Sequence, residues 1–208
     1  MLMKRQLVIV MAVKHNTLAN LGARSIAKEE REEKDFYATD PKVVEDLLKV
    51  IKLTKEVIEP NVGMGHIASV LEKHGHKVTG FDIVDRGYHN TQIIDFLKHN
   101  KTITCDVVMN PPYSQAQEHV AHALKLLADG YHLCAFLKVQ FLETKSRLQL
   151  FKNYKPKKIY IYSYRQRCAK NGDFEKAKGA NAICYCWFIW EKGNSRNAPK
   201  LYWINEKE

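Results

Sequence analysis

The stretch Asp106-Val107-Val108-Met109-Asn110-Pro111-Pro112-Tyr113 constrains this chain more than any other. Val107 and Val108 suit a buried strand, and two consecutive prolines cannot donate ladder hydrogen bonds, so a sheet strand ends at Asn110. Each proline fixes its own φ and turns the preceding residue away from the helical region, leaving a stiff, extended corner at the strand's carboxyl end. In open α/β sheets, ligands bind at such ends. The corner offers two acceptors, the Asn110 side-chain carbonyl and the Pro111 backbone carbonyl, beside the ring of Tyr113. A planar group with an exocyclic NH2 fits that set, with both N–H bonds accepted and its ring stacked on Tyr113. The same residues also read as a proline-terminated strand, with Ser114 capping a following helix.

The flanking chain alternates strands and helices. Glu56-Val57-Ile58-Glu59 is a short strand, followed by Pro60-Asn61-Val62-Gly63-Met64-Gly65 and a helix over residues 66–74 that Gly75 stops. Strand, glycine turn and helix form the first unit of a doubly wound sheet. Gly63 and Gly65 let backbone approach a ligand, and the helix amino terminus favours an anion. The dinucleotide fingerprint would need a third glycine at 68, where Ala68 stands. The second strand, residues 77–81, ends in Asp82, an acid able to accept both hydroxyls of a ribose. Upstream, Asp40 caps a helix with Pro41 in its first position, and Val43, Val44, Leu47, Leu48 and Ile51 form one apolar face. Phe36 and Tyr37 then act as a hydrophobic staple or wall a pocket.

With Asn110-Pro111-Pro112-Tyr113 about fifty residues beyond Glu59-Pro60-x-x-Gly63-x-Gly65, the chain resembles the class I S-adenosylmethionine-dependent methyltransferases. More narrowly, it is similar to the small phage-encoded DNA adenine-N6 methyltransferases. The resemblance implies a Rossmann-like, mostly parallel doubly wound sheet with an antiparallel edge hairpin, formed here by residues 159–164 and 183–190. It implies Asn110, Pro111, Pro112 and Tyr113 as the catalytic corner, and S-adenosylmethionine as cofactor. For that cofactor it implies contacts from Phe36, Tyr37, Thr39, Glu59, Pro60, Gly63, Gly65, Asp82, Ile83, Asp95, Phe96 and Asn110. Thr39 would serve the methionine carboxylate, although the segment Phe36-Tyr37-Ala38-Thr39-Asp40-Pro41 is longer than the family's Phe-Tyr-Thr-Pro pattern. Asp95 would hold the adenine amine, with Phe96 beside the ring; alone, Asp95 also reads as a helix cap. Related families that methylate a protein glutamine or a guanine amine in RNA share the corner, and a module that binds nucleic acid without turnover is the non-enzymatic alternative.

Charge points to a polyanionic partner. Of the formal +10 on 208 residues, the window 138–178 carries +9, from twelve Lys or Arg against three acids. Lys138 and the long polar segment 165–181, with Arg165, Arg167, Lys170, Lys176 and Lys178, are the candidate DNA contacts, each neutralised phosphate adding roughly 0.9 to the salt slope of binding. Residues 35–208 read as one domain, and residues 1–34 as an arm or helix. Neither the interval between the two motifs nor the fewer than twenty residues after Trp190 would house a separate target-recognition domain, so relaxed sequence specificity is expected.

The five cysteines lack metal-site spacing, and Cys184 and Cys186 alternate along an apolar run as small buried thiols. This predicts a reduced, intracellular protein with no metal, and the resemblance to the phage-encoded enzymes implies the cytoplasm of a bacterial host; no obligate protein partner is inferred. His119 and His122, three apart on the helix predicted over 114–128, are expected to face solvent. The apolar run 7–13 is far below the roughly 20 residues that span a bilayer.

Overall fold

A computed structural model describes residues 37–164, 166, 168–170, 183–194 and 197–205. The expected arm over 1–34 lies outside the described residues. Among the described residues, ten strands form two sheets. The large one contains β2 (Glu56–Glu59), β3 (Lys77–Asp82), β4 (Thr91–Ile93), β5 (Asp106–Met109), β6 (His132–Lys138), β7 (Lys158–Tyr162), β9 (Tyr185–Glu191) and β10 (Lys200–Ile204). Their spatial order is β10-β7-β9-β6-β5-β2-β3-β4, and only β9 runs antiparallel to its neighbours. The small sheet pairs β1 (Tyr37–Thr39) with β8 (Cys168–Lys170), Thr39 opposite Cys168.

The sheet is doubly wound because its central strands are apolar on both faces. In β5, Val108 packs on one side with Val57, Val78 and Leu71, while Val107 and Met109 pack on the other with Val120, Leu124 and Leu133. Helices α1 (Pro41–Val50) and α2 (His66–Lys73) cover the first face, and α3 (Ala116–Leu126) covers the second. Helix α4 (Lys145–Asn153) adds Leu150 to that second face. Asp40 caps α1 as expected, its Oδ1 accepting from Lys42 N at 2.9 Å, with Pro41 in the first turn. The first turn of α1 is also tied to the sheet, since Trp187 Nε1 and Tyr162 OH both donate to the Val43 carbonyl, at 3.1 and 3.2 Å.

Several expectations are adjusted. The antiparallel pair is present as β9 and β7, but β10 lies outside it, parallel to β7, so the edge belongs to β10. Ser114 does not cap α3: a 3-10 turn over Tyr113–Gln115 comes first, and Gln115 holds the cap position without a side-chain bond. A 3-10 turn over Val139–Leu142 and a positive φ of 87° at Thr144 separate the corner of β6 from α4. Cys186 is buried in β9, whereas Cys184 precedes the strand and is exposed, so the two share no buried face.

Candidate active site

The sheet topology brings the expected acids to one end. Glu59 closes β2, Asp82 closes β3, Asp95 stands two residues past β4, and Asn110 follows β5. A cleft open to solvent at its mouth joins all four. Thr39, Pro60, Ile83, Phe96 and Pro112 are also on its wall.

Glu59 is 1% exposed. Burial holds its carboxyl well above the usual range, and the charges of Asp82 and Glu72 push the same way; a bond from the Ala68 N–H pulls it down without compensating. Its Oε2 has no hydrogen-bond partner among the described residues, and neither has the buried Oδ1 of Asn61 on the same wall. Two buried acceptors lacking donors cost free energy unless a ligand supplies N–H or O–H groups. Asp82 differs. Gly63 N donates to its Oδ2 at 2.9 Å and Val84 N to its Oδ1 at 3.1 Å, so both oxygens are fixed in direction while each keeps a further lone pair.

At the corner, Asn110 Nδ2 donates to Thr39 Oγ1 at 3.0 Å, and Thr39 is 2% exposed. Pro112 is on the wall, whereas Pro111 and Tyr113 are not. Tyr113 OH donates to Tyr185 OH at 3.2 Å, and Lys138 Nζ lies 4.2 Å from the Tyr113 ring centroid. Lys138 closes β6, next to β5, which brings this candidate phosphate contact to the corner itself.

Gly63 and Gly65 lie behind the wall rather than on it. A Cβ on Gly65, whose φ is 79°, would stand 2.5 Å from Tyr88 Cδ2, so this glycine accommodates a neighbouring ring. Asp95 is a cap, its Oδ1 accepting from Leu97 N at 3.0 Å, and the residue is also on the cleft wall. Phe36 is outside the described residues, and Tyr37 is described only as backbone of β1. Among the expected DNA contacts, Arg165, Arg167, Lys176 and Lys178 lie outside the described residues, and Lys170 is described only as backbone of β8. The basic window does not form one face. Lys157 and Lys158 sit where β7 begins, at the end of the sheet opposite the cleft, and Lys157 pairs with Glu191.

The expectation for the histidines is overturned. His119 is 5% exposed and on the cleft wall, its ring stacked 6.0 Å from that of Phe96, and His122 is half-buried with Nε2 at 2.8 Å from the His99 carbonyl. Burial holds the His119 imidazole below its usual pKa, against the hydrogen bond to the Gln115 carbonyl. The signal was present, since Ala116, Val120 and Ala123 place position 119 on the buried face of α3. His66, at the start of α2, is a further wall residue that the motifs did not indicate, and burial lowers its pKa. Arg86 and Gln115 are two others. Among the described residues, no group of three His, Cys, Asp or Glu could hold a metal ion, and no helix is long and apolar enough to cross a membrane.

By sequence, no family model matches the chain and no curated protein matches it. By structure, it is similar to a protein from Listeria monocytogenes assigned as a class I S-adenosylmethionine-dependent methyltransferase, at 15% identity and a TM-score of 0.54. That match covers 80% of this chain and 64% of the other, so this chain spans less than two thirds of that neighbour's length. A protein from Pyrococcus horikoshii assigned as an RNA methyltransferase is similar at 12% identity and a TM-score of 0.52, covering 73% of this chain and 81% of that one. A protein from Lactococcus lactis assigned as a hemolysin is similar at 11% identity and a TM-score of 0.53, covering 79% and 91%. At such identities the likeness is one of fold, and the fold is that of the class I methyltransferases. A fold shared by proteins with such different assignments selects no substrate.

Proposed function

We propose that this chain transfers a methyl group from S-adenosylmethionine to the N6 amine of adenine in DNA. The observation that carries the reading is the single cleft joining Glu59, Asp82 and Asn110 at the carboxyl ends of β2, β3 and β5, with Pro111, Pro112 and Tyr113 following Asn110. The cleft residues fit the cofactor, because the buried Glu59 Oε2 and Asn61 Oδ1 both lack donors among the described residues. Glu59 would take the cation of the methionine moiety, which favours its charged form, and Asp82 would accept the ribose hydroxyls with the lone pairs its two backbone bonds leave over. When bound, S-adenosylmethionine supplies an electrophilic methyl on a sulfonium.

The acceptor must be brought to the corner. Adenine in a duplex is out of reach, so the base is flipped at a cost of a few kcal/mol, offset by stacking on Tyr113 worth about 1–3 kcal/mol. Asn110 and the Pro111 carbonyl accept the two amine hydrogens, which withdraws the nitrogen lone pair from ring conjugation and aims it at the methyl. As the N–C bond forms and the S–C bond breaks, the surplus proton on nitrogen passes to water. Positioning and preorganised acceptors supply the acceleration. Lys138, beside Tyr113, is suited to a strand phosphate, and the wider formal charge of +10 favours DNA as the partner.

A second reading, methylation of a guanine amine in RNA or of a protein glutamine, shares the corner, and the Pyrococcus horikoshii neighbour supports it to the extent of its fold. Transfer of radiolabelled methyl from S-adenosylmethionine to DNA, RNA and protein, followed by digestion, separates the cases. Label on adenine N6 is expected. Label on guanine or glutamine replaces the acceptor, and cofactor binding without transfer leaves a nucleic-acid-binding module that has lost turnover.

A further inference from the structure

We infer that His119 recognises the exocyclic amine of the cofactor's adenine, accepting one amine hydrogen at Nε2. The inference rests on S-adenosylmethionine as the cofactor and not on which acceptor is methylated. A ring nitrogen bonded to a backbone carbonyl must carry the hydrogen, because the carbonyl only accepts. His119 Nδ1 lies 3.0 Å from the Gln115 carbonyl at the start of α3, so the one N–H of the neutral ring is on Nδ1 and Nε2 keeps its lone pair. Burial favours the uncharged ring at neutral pH. Phe96 stacks on the imidazole at 6.0 Å with the planes 26° apart, so the ring is held by a bond at one edge and by a face. Its Nε2 has no hydrogen bond among the described residues.

Contact with Phe96 puts His119 at the end of the cleft suited to a base. Glu59 and Asp82 take the methionine and ribose in the reading above, and beyond Asp82 the wall turns apolar with Ile83, Ile94 and Phe96. Adenine offers one donor there, its amine, since its bare ring nitrogens accept. A fixed lone pair therefore selects the amine. Asp95 was the acceptor expected from the sequence, but its Oδ1 accepts from Leu97 N and its Oδ2 lies 3.5 Å from Lys98 Nζ. The exposed Gln115 amide can present either arm, so it selects nothing.

The test is a cycle of variants against two ligands, read by calorimetry on the full chain. The ligands are S-adenosylhomocysteine and its analogue with hydrogen in place of the adenine amine. His119→Phe keeps a ring and loses the nitrogen, His119→Leu repeats the test with a smaller side chain, and Asp95→Asn keeps the cap. The wild type is expected to bind the analogue about tenfold more weakly, as loss of one hydrogen bond to a buried acceptor does. Both His119 variants should bind the two ligands alike, and Asp95→Asn should keep the preference. Nitrogen NMR of the wild type, which depends on no variant, should show hydrogen on Nδ1 and none on Nε2. A preference retained in a folded His119 variant, one lost only in Asp95→Asn, or hydrogen on Nε2 overturns the inference. Failure of the wild type to bind S-adenosylhomocysteine overturns it together with the cofactor. Binding with the expected preference but no methyl transfer to DNA leaves it standing, and the proposed acceptor falls.

Discussion

Two carboxylates, each 1% exposed, sit at opposite ends of adjacent strands, and they differ in almost everything else. Asp106 opens β5 at the end away from the cleft. It accepts from Thr54 N and His132 N, both at 2.7 Å, and lies 3.3 Å from His132 Nδ1. Burial pushes its pKa up, but the bonds from His132 and Thr54 outweigh burial and hold it below the usual range. Glu59 closes β2 at the cleft end, has one oxygen without a partner among the described residues, and is held well above the usual range by burial. Equal exposure therefore accompanies opposite outcomes: donors that the fold supplies outweigh burial at Asp106, and burial outweighs the one bond from Ala68 at Glu59. The donors that Asp106 finds within the fold are missing at Glu59 Oε2 among the described residues.

The contrast can be broken at either end. The largest effect is expected at the cleft: Asn110→Ala should lower kcat by about 10²–10³-fold with cofactor affinity and unfolding midpoint retained, as removal of one transition-state hydrogen-bonding group does in other enzymes. A parallel loss of stability would make Asn110 a structural residue. At the other end, Asp106→Ala leaves the Thr54 and His132 N–H groups buried without an acceptor and should cost about 1–3 kcal/mol in denaturant unfolding, while a folded variant retains the cofactor. Glu59→Gln should do the reverse: stability of the free protein is kept or raised, and cofactor affinity falls about tenfold, roughly 1.4 kcal/mol by calorimetry.

The smallest and sharpest difference lies in pH. The pKa of Asp106 is depressed, so its contribution to stability is present above the unfolded value of about 3.9 and is lost as pH falls through the folded value. Glu59 is raised, so its contribution is present below the unfolded value of about 4.3 and is lost as pH rises through the folded value. Unfolding curves should show the advantage of Glu59→Gln over wild type growing above about pH 4.3, and the deficit of Asp106→Ala shrinking below about pH 3.9. Coincident pH profiles for the two variants would erase the distinction between the ends.

Half of the cleft wall was legible in the sequence because strand ends carry punctuation. Pro60, Gly63 and the pair Pro111 and Pro112 fix where β2 and β5 stop, and those stops align Glu59 and Asn110 on one edge of a parallel sheet. What stayed hidden depends on distant pairing. The β1–β8 ribbon joins residues about 130 positions apart, and β10 is defined by its register with β7 rather than by its own pattern. His119 was misread because a polar residue was weighed alone and not by its place on the buried face of α3. Gly65 was read as room for a ligand, whereas Tyr88 fills the space beside it.

Tyr88 also bounds Gly80, in the middle of β3. A Cβ there would stand 2.8 Å from Val62 Cγ2 and 3.0 Å from Tyr88 Cε1. Val62 is on the cleft wall, so a single methyl added deep in the sheet would be transmitted to the lining of the ligand site. Positions 62, 80 and 88 are consequently packed as one unit. A larger residue at position 80 fits only if Val62 or Tyr88 gives way, so the shape of the ligand site depends in part on a strand residue that does not line it.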